Sequence, residues 1–420
     1  MKAEIISIGT ELVSGQSLDT NSQWLSRALA AVGVAVRFHS TLSDDLAENV
    51  DAFRHAIGRA DLVVVSGGLG PTQDDLTREV LAEVAGVPLI EDSASLHAIT
   101  TMFTQRHLTM PARNRVQALL PRGAEALPNR VGTAPGVWMK VGEAHLACLP
   151  GVPHEMKIMH EEQVVPRLRR LGGAERVMIE RKINLFGKGE SAIEAEALDL
   201  TVRGRNPEVG ITAHDATISF RIVSSGTTLE AAEHLMAPTL AAIRERFAQL
   251  ILGEGSADMP EALFAQLRRT AFTLATAESC TGGLIAQQIT TVPGVGDYFL
   301  GGVVSYANDA KHQLLGIEPN LIKKFGAVSE PIAEAMALGI RERLSADIGL
   351  SVTGIAGPSG GTEEKPVGLV LIGLATASGV ATRRLEIGPE QPRRVIQSRA
   401  AKHAMNWVRL TLLALPDSVK

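Results

Sequence analysis

The stretch Asp61-Leu-Val-Val-Val-Ser-Gly-Gly-Leu-Gly-Pro-Thr-Gln-Asp-Asp75 decides the fold of the first part of this chain. Asp61 to Val65 is a short, nearly continuous apolar run, the mark of a strand buried on both faces of a covered parallel sheet. Ser66 to Asp75 then supplies a glycine loop, and Leu76 to Ala85 reads as the helix that follows it. Working outward, Ala3 to Ile8 is a strand ending in Gly9-Thr-Glu11. Asn21 to Val32 is an amphipathic helix stopped by Gly33, Val34 to Phe38 a strand, and Leu46 to Arg59 a helix. Arg130 to Met139 and Ala144 to Leu149 read as later strands, with Pro150-Gly-Val-Pro153 turning into a helix from Glu155 to Leu171. Such alternation predicts an α/β domain with a largely parallel sheet over residues 1–171.

The chain has 420 residues, more than the ~100–200 of one ordinary domain. Gly172-Gly173 breaks the alternation and opens a small α+β module over 172–252. Its strand runs from Arg176 to Phe186 and its helix from Gly189 to Leu198. A hairpin follows (Gly210 to His214, Thr217 to Val223), then a closing helix from Leu229 to Phe247. Leu252-Gly-Glu-Gly-Ser256 reads as a linker. A second α/β domain spans 259–415, with strands at Thr273 to Ala277, Phe299 to Tyr306, Ile348 to Thr353, Val367 to Thr376 and Val380 to Ile387. Its last helix, Val395 to Leu415, is apolar nearly all round. The expected fold class is α/β: two α/β domains joined by a small α+β module.

Composition narrows the function. Only 4% of residues are aromatic and the net charge is −5, which argues against a stacked-base or phosphate-backbone surface and hence against a nucleic-acid partner. Two cysteines, Cys148 and Cys280, make a disulfide framework unexpected and fit a reducing cytoplasm. The N-terminus runs straight into a strand pattern without a long apolar leader, and no run of about 18 apolar residues reads as a membrane span. A cytoplasmic protein handling small molecules is the expectation.

Chemistry concentrates in Thr276-Ala-Glu-Ser-Cys-Thr-Gly-Gly283. The segment leaves a strand through a glycine turn, carrying a hydroxyl at Ser279 and a thiol at Cys280. Tyr306 and Lys311 follow in Val303-Val-Ser-Tyr-Ala-Asn-Asp-Ala-Lys311. An alcohol is a poor nucleophile at neutral pH and needs a base; a lysine serves only if burial or nearby charge lowers its pKa. Taken singly, Ser279 reads as a helix cap, Lys311 as a solvated side chain and Tyr306 as a packing residue. Together at strand ends they mark a site, since ligands of open α/β sheets sit beyond the strands' carboxyl ends. Cys280 is a rival nucleophile, intrinsically more reactive. The amides of the Thr281-Gly282-Gly283 turn suit either an oxyanion or a phosphate.

Ala277-Glu-Ser-Cys-Thr-Gly-Gly283, Ser305-Tyr-Ala-Asn-Asp-Ala-Lys311, Gly326-Ala-Val-Ser-Glu-Pro331 and Gly354-Ile-Ala-Gly-Pro-Ser-Gly-Gly361 with Glu364-Lys-Pro-Val-Gly368 closely resemble the CinA C-terminal domain, the PncC-type nicotinamide mononucleotide deamidase. The resemblance runs from about 259 to 415. It implies metal-free hydrolysis of the nicotinamide carboxamide to nicotinate mononucleotide and ammonia. Ser279 would be the nucleophile, activated by Tyr306 and Lys311. Thr281, Gly282, Gly283, Asn308, Gly354, Ala356 and Gly357 would hold the substrate. Relatives carry a Gly-Asp-Arg signature before the last helix; here the stretch is Gly388-Pro-Glu-Gln-Pro-Arg393, with Arg393 as the counterpart arginine and the aspartate absent.

The glycine loop Ser66–Asp75, with Gly9-Thr-Glu11, Asp19-Thr-Asn21 and Gly132-Thr-Ala-Pro-Gly136, resembles the molybdopterin-binding MoCF-like (MogA/MoeA-type) fold and the N-terminal domain of full-length CinA. That resemblance implies divalent-metal-dependent ADP-ribose pyrophosphatase activity with Mg, Mn or Co. Gly9, Thr10, Glu11, Asn21, Gly67, Gly68, Gly70 and Thr133 would bind substrate, with Asp75 and Asp44 as metal ligands. Carboxylates beside a diphosphate suit a hard cation, whereas Asp74 and Asp75 also read as caps of the next helix. His154 and His160 read as structural or solvated, and Glu155 as facing ligand. The expectation is a bifunctional pyridine-nucleotide salvage enzyme, implied by the family to be a homodimer. The alternatives are a molybdopterin-handling or binding domain in the first half, or a competence and DNA-damage regulatory factor.

Overall fold

The computed structural model describes residues 1–172 and 177–416; Gly173 and Arg176, expected at a domain break and a strand start, lie outside the described residues. The chain divides into two units, Met1–Ile179 with Ser224–Leu235 and Glu180–Val223 with Met236–Lys420. Both are mixed α/β structures.

The first unit holds β1 (Lys2–Ile8), β2 (Ala35–Leu42), β3 (Leu62–Ser66), β4 (Leu89–Glu91), β5 (Leu119–Pro121), β6 (Glu125–Leu127), β7 (Gly136–Val141) and β8 (Ala144–Leu149). Six of these form one sheet in the order β2-β1-β3-β8-β7-β6. It is parallel from β2 to β8 and antiparallel through β7 and β6. Alternate residues of the apolar strands feed opposite faces, as a period of two requires. Ile5, Leu62 and Val64 pack with Leu25, Leu29, Met156 and Met159. Ile6, Val63 and Val65 pack with Phe53, Val80 and Leu81 on the other face. Helices therefore cover both sides, and the Ser7–Ser66 register sets the loops after β1 and β3 side by side.

Three first-unit expectations are corrected. Residues 130–135 are irregular and β7 begins only at Gly136, because Asn129 Oδ1 accepts the N–H groups of Val131 and Gly132. Such a side-chain turn takes donors that a strand ladder needs. Between Leu89 and Leu127 lie β4 to β6 and a helix, Ser93–Gln105, which the pattern reading leaves unassigned. The helix expected from Glu155 starts at Pro153 and widens to a π-turn over His160–Val164. Pro166 follows immediately and has no N–H to continue the ladder. His160 is buried edge-on against Trp24 at 5.4 Å. Burial pushes its imidazole down to about 4, so it is a neutral core ring.

The remaining strands are β9 (Val177–Phe186), β10 (Glu208–His214), β11 (Thr217–Gly226), β12 (Ile251–Glu254), β13 (Leu274–Glu278), β14 (Phe299–Val304), β15 (Ile348–Gly354), β16 (Leu369–Thr376) and β17 (Gly379–Glu386). The expected linker at Leu252–Ser256 is in part a strand, β12, paired antiparallel to β9 through Ile251–Leu185 and Glu254–Ile183. Leu252 is buried with Phe186 in the same core as Met259 and Leu263, which fixes the segment as structure. The four-stranded sheet runs β10-β11-β9-β12 and the five-stranded sheet β14-β13-β15-β16-β17. In the latter β14, β13 and β15 are parallel, and β16 and β17 antiparallel.

Helix Met259–Thr270 opens with a capping box between Asp258 and Glu261, which satisfies two otherwise orphaned N–H groups. With helix Arg393–Leu413 it covers one face, where Leu274, Leu350 and Val352 meet Leu267, Met405 and Val408. On the other face Ala275 and Ala277 meet Ile332, Met336 and Ile340 of helix Glu330–Arg343. β13 is thus buried along its whole length, and its carboxyl end carries Glu278 and Ser279. Among the described residues no helix is long and apolar enough to cross a membrane.

Candidate functional site

Ser279 is held where β13 ends. Its N–H donates to Val352 O at 2.9 Å, extending the pairing with β15 by one residue. The chain then reverses through Gly282 and Gly283, whose φ of 64° and 97° fall in the region that favours glycine. Glu278, itself buried, reaches into the turn and accepts from the amides of Gly283, Ile285 and Ala286 at 3.0, 3.0 and 2.8 Å. It thereby satisfies the first N–H groups of helix Leu284–Ile289. In the sequence Glu278 stands inside the motif with no signal of this role.

Lys311 completes the pair. It lies on helix Asn308–Leu315 and is fully buried. Its Nζ donates to Ser305 O at 2.8 Å and to Tyr306 O at 3.3 Å, and lies 3.2 Å from Ser279 Oγ. None of these partners carries charge. Burial accordingly lowers the Lys311 pKa from its ordinary value, since desolvation disfavours the ammonium. A neutral amine within hydrogen-bond reach of an alcohol can accept its proton.

The Tyr306 side chain, expected to help activate Ser279, is bonded elsewhere in this arrangement. Its side chain is 60% exposed, and its hydroxyl accepts from Arg393 Nη2 at 2.9 Å. Only its carbonyl touches Lys311. Arg393 also donates to Gly357 O at 2.7 Å, so it ties Tyr306 to the loop after β15. Gly354 closes β15 and Ala356 is buried in that loop. Asn308 stands exposed at the start of its helix. The thiol of Cys280 is buried, and burial pushes it up to about 12, so it carries no thiolate at neutral pH. Its carbonyl accepts from Gln397 Nε2 at 2.8 Å, a contact with no signal in the sequence. Thr281 Oγ1 and Ser305 Oγ are buried without a hydrogen-bond partner, which marks polar capacity unspent inside the site.

In the first unit the loop Ser66–Asp75 closes on itself. Asp75 accepts from Gly70 N and Thr72 N, both at 2.8 Å, and from the Thr72 hydroxyl. Beneath it, buried Arg78 donates to Leu69 O and Gly70 O at 2.8 Å. Gly68 is required because a Cβ there would lie 2.3 Å from Thr77 Oγ1. Asn21 Nδ2 joins Ser66 Oγ to Gly151 O at 2.9 and 2.8 Å. Gly9 precedes the short helix Thr10–Val13 that contains Glu11.

Asp44 accepts from Thr10 N and Oγ1 at 2.9 and 2.7 Å. Neither expected metal ligand is therefore a free carboxylate, and among the described residues no three His, Cys, Asp or Glu side chains converge to hold a metal. As arranged, Asp75 and Asp44 staple loops and do not fit a preformed cation cage. Glu155 likewise accepts from Asn129 Nδ2 at 2.7 Å. Thr133 lines a cavity of about 340 Å³ with Ile99, Met102 and Pro135.

Comparisons with known proteins cover nearly the whole chain. Residues 4–170 match the probable molybdopterin binding domain, 180–253 the damage-inducible protein CinA KH domain, and 256–412 the CinA C-terminal domain. A putative competence-damage inducible protein of Halothermothrix orenii is 43% identical over 379 residues, 90% of this chain and 91% of the relative. A CinA-like protein of Kosmotoga olearia is 41% identical over 415 residues, 99% of this chain and 100% of the relative. Among solved structures, the protein CinA with unknown function from Thermoplasma acidophilum is 36% identical, covering 40% of this chain and 96% of that one, with a TM-score of 0.37.

Proposed function

The chain belongs to the CinA family, and on that premise we propose that its second unit is a serine amidohydrolase acting on the carboxamide of nicotinamide mononucleotide. The observation that carries the reading is the buried Lys311 Nζ, 3.2 Å from Ser279 Oγ and, among the described residues, with no carboxylate in ion-pair contact. In the proposed reaction Ser279 Oγ attacks the carboxamide carbon as its proton passes to the neutral Lys311 amine. The resulting tetrahedral oxyanion needs N–H donors. The amide of Ser279 is already spent on Val352, that of Gly282 on Ser279 O and that of Gly283 on Glu278. The amides of Cys280 and Thr281 remain for this task. Collapse breaks the C–N bond, with Lys311 returning the proton to the departing ammonia. Water then attacks the acyl ester, losing a proton to Lys311; the ester C–Oγ bond breaks, Lys311 returns that proton to Ser279 Oγ, and nicotinate mononucleotide leaves. Arg393 and Tyr306, on the exposed side, would hold the substrate's phosphate or ring.

For the first unit we propose binding and hydrolysis of ADP-ribose, its diphosphate cradled by the glycine loop. Among the described residues the amides of Gly68 and Leu69 make no hydrogen bond and are donors for the diphosphate, as in other loops that hold anions. A divalent cation would arrive with the diphosphate, whose oxygens would supply most of its ligands.

The test is ammonia release from nicotinamide mononucleotide by the Ser279→Ala variant of the full chain, with ADP-ribose turnover measured in parallel. Loss of the first with retention of the second is expected. Undiminished ammonia release would remove Ser279 from the reaction. Absence of ADP-ribose turnover in the parent protein, with molybdopterin bound, would move the first unit to the pterin reading.

A further inference from the structure

The second unit contains another cavity, of about 650 Å³, that shares no lining residue with the serine site. It opens between the turn after β9, the β10–β11 hairpin tip, the end of β17 and helix Arg393–Leu413. Its volume lies within the range of small-molecule sites. Phe186, Ile218, Leu385 and Ile387 give it an apolar wall.

Most charges around it are already balanced. Asp215 pairs with Lys402 at 2.8 Å and accepts from Ser398 Oγ at 2.6 Å. Lys188 pairs with Glu196 at 2.5 Å, and Glu386 with Arg384 at 3.0 Å. Glu190 is exposed at the rim. Arg399 is the exception. Its Nε is buried without a hydrogen-bond partner, and among the described residues no carboxylate forms an ion pair with it, Glu390 acting on it only through its charge. Leaving a desolvated guanidinium donor unmade is costly, and that planar fork matches carboxylate and phosphate groups. One turn further along the helix, His403 lines the same cavity with its ring edge-on to Phe186 at 4.8 Å.

We propose that this cavity binds a small organic anion, with a carboxylate or phosphate group on Arg399 and an apolar or planar body against Phe186 and Ile218. His403 reports on it. Burial, and then the positive charges of Arg399 and Arg383, hold its imidazole below the usual range. An anion beside Arg399 offsets part of that charge and so raises the His403 pKa.

The full chain, carrying ring-labelled histidine, is titrated with benzoate and with inorganic phosphate while the His403 resonance, assigned by its loss in His403→Gln, is followed by NMR. At least one probe is expected to move that resonance saturably and raise its pKa. Arg399→Gln should weaken binding about ten- to a hundredfold, the cost of a charge-assisted hydrogen bond, and Arg399→Lys less. Ser279→Ala should leave the titration unchanged, which separates this cavity from the serine site. The proposal is overturned if neither probe shifts His403 saturably, if Arg399→Gln binds as the parent does, or if Ser279→Ala abolishes the shift. The parent titration decides even if a variant fails to fold.

Discussion

The Ser66–Asp75 loop and the Ser279–Gly283 turn each leave the carboxyl end of a fully buried strand and lead into a helix. In each, a carboxylate gathers backbone N–H groups: Asp75 those of Gly70 and Thr72, Glu278 those of Gly283, Ile285 and Ala286. A buried basic side chain lies beside each. Under the first loop it is Arg78, bonded to the carbonyls of Leu69 and Gly70. At the second it is Lys311, bonded to two carbonyls and within reach of the Ser279 hydroxyl. Burial lowers the pKa of both, yet a guanidinium stays charged in proteins while an ammonium does not. Arg78 can only hold its loop, whereas Lys311 can exchange a proton with Ser279. The turn geometry gives an address, and the titratable neighbour decides whether the address is reactive.

The largest expected effect breaks that difference directly. Lys311→Met keeps most of the volume and removes the base, so deamidation should fall about a hundred- to ten-thousandfold, the usual worth of a general base. The amine works only when neutral, so kcat/KM of the parent should rise with pH to a plateau reached below the ordinary lysine value of 10.5. Lys311→Met should lose that limb. Stability follows the same sign. Between the lowered folded pKa and 10.5 the unfolded chain binds the extra proton, so parent stability climbs with pH across that window. The variant's should not. A parent rate independent of pH over this range would show that the base lies elsewhere.

A smaller effect is expected at the other turn. Asp75→Ala removes an acceptor shared by two amides and a hydroxyl, and should cost the first unit about 1–3 kcal/mol. ADP-ribose turnover should fall with it and deamidation should not. Asp75→Asn sharpens the comparison. It keeps an acceptor for the loop, so as a staple it should retain more turnover than the alanine variant at an unchanged cation requirement. If it is as impaired as alanine and needs more divalent cation for half-maximal rate, Asp75 ligates metal.

Much of this contrast was legible in the sequence. The strands Leu62–Ser66 and Leu274–Glu278 and the spacing from Ser279 to Lys311 follow from apolar runs, glycine turns and motif resemblance. What was not legible depends on partners distant in sequence. Tyr306 meets Arg393 across 87 positions and Gln397 meets Cys280 across 117, contacts that no local pattern encodes. The strand expected from Arg130 to Met139 begins only at Gly136 because the Asn129 side chain captures the amides of Val131 and Gly132. β12 reads as a linker in sequence because two glycines outweigh the apolar pair Ile251-Leu252 that anchors it. Asp75 stays open for a related reason: an acid closing a glycine loop reads the same in sequence whether it binds a cation or its own backbone.

The smallest expected effect concerns the thiol beside the nucleophile. If reactivity at the second turn belonged to whichever intrinsically better nucleophile it exposed, Cys280 would compete with Ser279. Burial instead pushes that thiol up to about 12, and among the described residues no base hydrogen-bonds to it. Lys311 Nζ lies against the serine oxygen. Cys280→Ala should therefore change deamidation by less than about threefold and cost about 1 kcal/mol of stability for the lost buried sulfur. The backbone carbonyl that Gln397 holds is kept, so the turn should keep its shape. Near-complete loss of ammonia release, with the unfolding transition otherwise unchanged, would reassign the nucleophile. It would also show that burial does not decide which of the two neighbours reacts.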